Sequence, residues 1–487
     1  MRALINEIDT GLRPEALLDR LQGEPGVVLL RSTRFDSPQA RYSFVVARPF
    51  LAFRSFGSRC ELQLPPPRRA RRRQFGNPWQ VLDELMARYE LLDEVDLPFP
   101  LGGCFGYWGY DLKNFVEPKL SRGAVNDLEL PDCHLGFYDS LVVFDHHLGK
   151  TWIVSTGLDV DGSRNAHRAQ RKAGFWRQRL TATRAGPGPQ APAPRRRTPP
   201  PGTRITSTFS RPGFIAAVEQ AQRYIRAGDI YQVNLAQRLA APCPAPAWQF
   251  FQRLAAVSPA PFAAYLDCDD FHIASSSPEL FLRLSGSHIQ TRPIKGTRPR
   301  STDPTRDAQW SWELQTSPKE LAELVMITDL LRNDLGRVCE FGSVQVPELV
   351  RLERYAQVQH LVSTVEGRLR PGTTHLAALA SCFPGGSITG APKFRAMEII
   401  DELEPVSRGP YTGALGYLGF NRESQLSIVI RAAVCRGSVA WFHAGAGIVA
   451  DSVPSAEYVE TLAKARGFFE ALNLNRQSGY IVSTAGK

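Results

Sequence analysis

Apolar positions in the first 180 residues recur mainly as short runs of β character. Residues 26–30, 43–46, 141–144 and 151–154 each read as strands. Residues 78–91 carry the clearest helical period there, and residues 163–183 predict a basic helical arm. Residues 183–204 break the pattern, because Gly186-Pro187-Gly188-Pro189 and Ala191-Pro192-Ala193-Pro194 can pack neither as helix nor as strand. Beyond this linker the periodicity sharpens. Residues 211–227 predict an amphipathic helix, with Pro212 at its start and Gly228 past its end. Strands are predicted over 231–239, 262–266, 271–274, 279–284 and 358–368, helices over 319–333 and 394–403. A strand meander over 414–420, 426–434 and 439–444 precedes a closing helix at 455–472. Strand runs followed by helices predict an α+β fold with antiparallel sheets, not a doubly wound parallel sheet. The divisions are an N-terminal region 1–182, the linker 183–204, a catalytic region 205–475 and a tail 476–487.

Composition narrows the class. A chain of 487 residues, 43% hydrophobic and 22% charged, is an ordinary globular protein able to bury a large core. No apolar run reaches membrane-spanning length, and residues 1–20 are too mixed and acidic for a secretory signal. Cys60, Cys104, Cys133, Cys243, Cys268, Cys339, Cys382 and Cys435 are scattered without a C-x-x-C pair. They predict reduced thiols in a cytoplasmic protein, with no structural zinc. The net charge of +10 comes largely from arginine, notably Arg68-Arg69-Ala70-Arg71-Arg72-Arg73 and Arg195-Arg196-Arg197. Neither run interleaves aromatics, so both read as solvated loop charges and a nucleic-acid partner is not expected. The positive field favours an anionic substrate.

Five constellations carry candidate chemistry. Pro293-Ile294-Lys295-Gly296-Thr297-Arg298-Pro299-Arg300 presents one lysine on a stiffened loop; its amine becomes a nucleophile once burial or a nearby cation lowers its pKa. Gly385-Gly386-Ser387-Ile388-Thr389-Gly390-Ala391-Pro392-Lys393 leads into a helix and offers free N–H groups to an anion, without the spacing of a phosphate P-loop. Glu320 and Glu323 share one helix face, as do Glu457 and Glu460 after the Gly-rich Gly445-Ala446-Gly447 turn. Such pairs are ordinarily solvated surface, but two carboxylates from two helices, with open positions left over, suit Mg²⁺. Glu279, after Ser275-Ser276-Ser277-Pro278, stands at a strand edge where a raised pKa would make it a general acid. His360 lies within an apolar alternation, the setting of a packed histidine, and Arg431 lies in an apolar strand, where it needs an anionic partner such as a carboxylate.

Together these motifs resemble the chorismate-utilising enzyme family. The resemblance runs from about residue 209 to 472 and more weakly over 14–154. It rests on Asp229-Ile230-Tyr231-Gln232-Val233-Asn234-Leu235, Ser277-Pro278-Glu279, the lysine loop, Asp329-Leu330-Leu331-Arg332-Asn333-Asp334, His360-Leu361-Val362-Ser363, the Gly385 loop and Gly445 to Asp451. It implies two similar halves whose antiparallel sheets pack together with helices outside, and a substrate bound as its Mg²⁺ complex. By position, Glu323 and Glu460 resemble the Mg²⁺ ligands, with Glu457 as helper. Tyr411 and Arg431 resemble the binders of the enolpyruvyl carboxylate. The backbone around Ser387 and Gly447, with Lys393, resembles the ring-carboxylate site, and Glu279 resembles the acid for the departing 4-hydroxyl. His360 lines the site.

Two positions point to a branch. Gln232 stands where the water-using members carry a lysine base. Lys295 stands where anthranilate synthases carry alanine, and there the chain resembles the aminodeoxychorismate synthases, which lead to 4-aminobenzoate and folate. The alternatives are an anthranilate synthase or a non-catalytic chorismate-binding protein. Ser32, Tyr42, Ser43, Phe44 and Pro261 resemble a tryptophan pocket, regulatory in anthranilate synthases and structural in some aminodeoxychorismate synthases. None of the eight cysteines lies in a Gly-x-Cys-x-Gly turn, and no lyase domain is read beyond Leu472. The resemblance therefore implies a separate glutamine amidotransferase subunit that supplies ammonia, and a separate lyase.

Overall fold

Two large sheets, each built from both ends of the chain, form the frame in the computed structural model, which describes residues 2–32, 41–64, 70–92, 95–182, 204–355, 358–474 and 481–484. The linker residues 183–203, together with Arg195-Arg196-Arg197, lie outside the described residues. One sheet has 13 described strands. It runs from Leu4–Ile8 through Val28–Arg31, Phe262–Asp267, His272–Ser277, Ala432–Arg436, Val439–Ile448 and Gln232–Pro242 to Arg204–Ser207 and Ile481–Thr484. The other has 12 described strands. It runs from Ile294–Pro299 and Val358–Arg368 through Leu280–Ser285, Glu423–Ile428, Ala414–Gly419 and Gly103–Trp108 to Arg71–Phe75. The strand pairings within the two sheets are antiparallel except that of Arg204–Ser207 with Ile481–Thr484, so part of the expected tail is a strand.

The sheets pack face to face. Val28, Phe44 and Ile273 of one share a buried cluster with Phe53, Phe105, Phe137, Leu282 and Leu426 of the other. Each such side chain contributes roughly 1.5–3 kcal/mol on burial. Helices Pro14–Asp19, Ala166–Thr181, Ala247–Val257 and Arg466–Ala471 cover the outer face of the 13-stranded sheet through Leu17, Trp176, Phe251 and Phe468. This is the expected α+β architecture of packed antiparallel sheets with helices outside.

Four expectations change in detail. The closing helix is two, Pro454–Lys464 and Arg466–Ala471. The lysine loop is an edge strand, Ile294–Pro299, paired with Val358–Arg368 and bulged between Lys295 and Thr297, where Gly296 takes φ +65°. Arg71-Arg72-Arg73 lie in an edge strand, not a loop, and Arg59, Arg71 and Arg73 ring the buried Glu61. The strand expected over 426–434 breaks. Glu423–Ile428 belongs to the 12-stranded sheet and Ala432–Arg436 to the other, and Arg431 in the crossing takes φ +52°. A second crossing, between His272–Ser277 and Leu280–Ser285, carries Glu279. The crossings are bonded together: Ser276 N donates to Arg431 O (3.0 Å), Ile428 N to Glu279 O (3.1 Å) and Ser277 Oγ to Ile428 O (2.6 Å).

Candidate active site

Where a chain leaves one sheet for the other, its side chains are released from the alternation of the ladder and can converge on one space. That space is a cavity of about 570 Å³, lined by Glu279, Lys295, Glu320, Glu323, His360, Ser387, Tyr411, Arg431, Gly447, Glu457, Glu460 and Lys464 among others. Helix Pro318–Gly336 brings its carboxylates there. Ser317 caps it by accepting from Glu320 N (3.4 Å), and Pro318 opens its first turn. Helix Pro454–Lys464, also opened by a proline, brings Glu457, Glu460 and Lys464.

The Lys295 side chain is 13% exposed and its Nζ lies 3.7 Å from Glu323 Oε2. Burial pushes its pKa down, the Glu323 and Glu279 carboxylates pull against that, and Lys464 pushes with it. Burial was one of the two expected causes; the other was a nearby cation, for which the sequence offers Arg298 and Lys393. Instead Arg298 is paired with Glu320 at 3.4 Å, and Lys393 points elsewhere. Glu279 is 6% exposed, and burial raises its carboxyl to about 7 against a hydrogen bond with Ser387 and the charge of Lys295. His360 is packed as expected of a strand histidine: Nδ1 lies 2.9 Å from Thr297 Oγ1, and burial lowers its pKa to about 4, which keeps it neutral. Tyr411 stacks on His443 with ring centroids 4.8 Å apart, and burial raises its phenol to about 12. Burial lowers the Arg431 pKa, with Tyr411 and Glu460 opposing; a buried cation of this kind is completed by an anion.

Two expected residues are not brought into the cavity. Lys393 donates to Asp334 Oδ2 (2.6 Å) and Cys382 O (3.2 Å), which fastens the Gly385 loop to helix Pro318–Gly336 instead of facing a ligand. Gln232 is wholly buried beneath Gly447, where an added Cβ would stand 3.1 Å from its Nε2, and neither of its amide atoms has a hydrogen-bond partner among the described residues. Lys464 was missed by sequence reasoning. It bonds Glu460 (2.7 Å) and Gly445 O (2.9 Å), and its signal was the Glu-to-Lys spacing of four on one helix.

The carboxylates are oxygen donors of the type Mg²⁺ takes, and all four reach one cavity. In this conformation Glu323, Glu320 and Glu460 face Lys295, Arg298 and Lys464, and Glu457 accepts from Ser452 Oγ (2.6 Å). Among the described residues no group of three converges closely enough to hold a metal. The donor type suits a divalent cation, and holding one would require Glu323, Glu320 and Glu460 to give up Lys295, Arg298 and Lys464.

Of the residues expected at a tryptophan pocket, Ser32, Tyr42, Phe44 and Pro261 line a second cavity of about 30 Å³. Ser43, between Tyr42 and Phe44 on strand Tyr42–Val46, faces the other way, is fully buried and bonds His146 (2.6 Å). No described helix is long and apolar enough to cross a membrane.

Known proteins bear on what this cavity holds. The profile of the "chorismate binding enzyme" family matches residues 33–470. The chain is 42% identical over 403 residues to anthranilate synthase component 1 of Thermus thermophilus, covering 81% of this chain and 84% of that one. It is 39% identical over 461 residues to aminodeoxychorismate synthase component 1 of Escherichia coli, covering 94% and 96%. The crystal structure of anthranilate synthase component I from Streptococcus pneumoniae superposes with a TM-score of 0.73 at 29% identity, covering 95% of this chain and 99% of that one. A chain that shares the fold along nearly its whole length, and gathers these carboxylates and cations into one cavity, is a chorismate-utilising enzyme and belongs to the chorismate-binding family.

Proposed function

We propose that this chain is an aminodeoxychorismate synthase component I, which turns chorismate and ammonia into 4-amino-4-deoxychorismate on the way to 4-aminobenzoate and folate. The observation that carries the reading is the Lys295 amine inside the cavity, its pKa lowered by burial, beside a Glu279 carboxyl raised to about 7. The neutral amine attacks carbon 2 of chorismate, both ring double bonds shift by one position, and the 4-hydroxyl leaves as water on taking the Glu279 proton. The new secondary ammonium at Lys295 returns a proton to the Glu279 carboxylate. Ammonia then attacks carbon 4, both ring double bonds shift back, and Lys295 is expelled as its neutral amine on taking one proton from the ammonium formed at carbon 4. Arg431 and Tyr411 hold the enolpyruvyl carboxylate, Ser387 and the Gly447 backbone hold the ring carboxylate, and neutral His360 lines the pocket.

Glu323 and Glu460, with Glu457, would hold Mg²⁺, whose charge steadies the substrate's carboxylate and eases departure of the hydroxyl. Ammonia comes from a glutamine amidotransferase partner, and chemistry takes place in the cytoplasm. Tryptophan, where it binds near Ser32 and Tyr42, is structural in this reading.

A second reading, anthranilate synthase component I, is favoured by the 42% identity to the Thermus thermophilus protein. Incubation with chorismate and Mg²⁺ but without ammonia separates the two. The lysine route gives an adduct at Lys295 heavier by chorismate less water, discharged by ammonia to 4-amino-4-deoxychorismate and absent in Lys295→Ala. Anthranilate as the sole wild-type product, or an undiminished rate in Lys295→Ala, would reject it.

A further inference from the structure

Behind the Tyr411 wall, outside the lining of the catalytic cavity, Arg408 is only 2% exposed. Every N–H of its guanidinium fork is used. Nε donates to Glu404 Oε2 (2.9 Å), and Nη2 donates to Glu404 Oε1 (2.6 Å) and to Asn234 O (2.8 Å). Nη1 donates to Ile388 O (3.1 Å) and Thr412 Oγ1 (3.2 Å). The fork also lies over Tyr110 (4.8 Å to the ring centroid) and Tyr411 (5.6 Å). Glu404 Oε1 accepts in addition from Ala236 N (2.8 Å).

These contacts tie together segments that carry opposite ends of the substrate site. Ile388 follows Ser387 in the same short turn. Asn234 donates to Ser387 O (3.0 Å) and stands opposite Gly447 in the sheet. Thr412 follows Tyr411, and its hydroxyl bonds Tyr411 O (2.6 Å). We propose that Arg408 is a positioning residue that fixes the separation between the Ser387–Gly447 end and the Tyr411 end of the chorismate site. A planar fork with directions set by covalent geometry can hold such a spacing, whereas a lysine ammonium at the same place cannot. Glu404 supplies the counter-charge that lets the fork stay buried.

The inference rests on Ser387 and Tyr411 binding substrate, and not on which amine is made. It is tested by following chorismate loss with ammonium as the nitrogen source. Arg408→Lys keeps the charge beside Glu404 and loses the fork. Its KM for chorismate should rise about 10-fold with kcat changed less than about threefold, since binding geometry and not a reacting group is lost. The Mg²⁺ concentration for half-activation should not move, because Arg408 bonds none of the carboxylates at the cavity. If Arg408→Lys does not fold, Thr412→Val removes the hydroxyl's two bonds, to Arg408 and to Tyr411 O, and leaves the ion pair; KM should rise about threefold, with Thr412→Ser near wild type. A folded Arg408→Lys with wild-type KM overturns the proposal. So does a parallel loss of KM, kcat and Mg²⁺ response, or a Thr412→Val that matches Thr412→Ser. Tyr411→Phe and Ser387→Ala distinguish the failures: if neither raises KM, the binding roles are wrong and the proposal falls with them; if they do and Arg408→Lys does not, Arg408 alone was misjudged.

Discussion

Replacing Glu279 by Gln should stabilise the protein at alkaline pH while it removes activity. In the fold Glu279 is 6% exposed and its carboxyl is raised from 4.5 to about 7, first by burial. Below 4.5 the folded and unfolded chains both hold the proton, and no cost arises. As pH rises from 4.5 to about 7 the unfolded chain releases it and the folded chain does not, so stability falls through this window. At ~1.4 kcal/mol per pKa unit the full cost is about 3 kcal/mol. Gln keeps the shape of the neutral acid and never ionises. It also leaves Lys295 without one of its counter-charges, which returns part of the gain, so an advantage of about 1–3 kcal/mol at pH 8 is expected. Urea denaturation of both proteins from pH 4.5 to 8.5 measures it, since titrating groups that do not face Glu279 cancel in the difference. The difference should be near zero at the acid end and grow through pH 6. Turnover should fall roughly 10²–10⁴-fold with loss of the proton donor. A stability difference that does not depend on pH would refute the reasoning.

Four further outcomes follow from the same geometry. Glu323→Gln and Glu460→Gln should each retain the fold and lose Mg²⁺-dependent turnover, read by titrating Mg²⁺; full turnover of both variants in chelator would remove them from the metal site. Gly296→Ala should lower stability by about 1–2 kcal/mol and displace Lys295, because φ is +65° and a Cβ would stand 2.6 Å from Leu314 Cδ1; an unchanged denaturation midpoint would contradict this. Ammonium at alkaline pH should support turnover by the purified chain, whereas glutamine should do so only after an amidotransferase subunit is added. Micromolar tryptophan should leave most activity intact, and an inhibition curve falling to near zero would favour the anthranilate reading.

Local pattern carried much of the fold. The helix expected over 319–333 is found as Pro318–Gly336, because its proline start, serine cap and apolar period all act within a few residues. The strand expected over 231–239 is found as Gln232–Pro242, and the basic arm over 163–183 as Ala166–Thr181. Local pattern failed for Lys295, where glycine and two prolines read as a loop while a partner 60 or more residues away, Val358–Arg368, makes the segment a bulged edge strand. It failed again at Arg431, because an apolar run reads the same whether it stays in one sheet or crosses to the other.

By itself the sequence supplied most of the candidate residues of the cavity: the lysine, the paired glutamates one turn apart, the glycine-rich segments and the histidine in its apolar run. These are properties of side-chain chemistry and of spacing along one element, and both are written locally. Only the tertiary structure decided which of them meet. It drew Glu279 and Arg431 into one cavity by sending two segments across between the sheets. It took Lys393 away by pairing it with Asp334, and it brought in Lys464. It also joined the two ends of the chain, since Val28–Arg31 pairs with Phe262–Asp267 and Gly103–Trp108 with Ala414–Gly419. The reason is physical: a strand's partner is chosen by burial of whole sheet faces, a property of the folded chain that no window of the sequence contains.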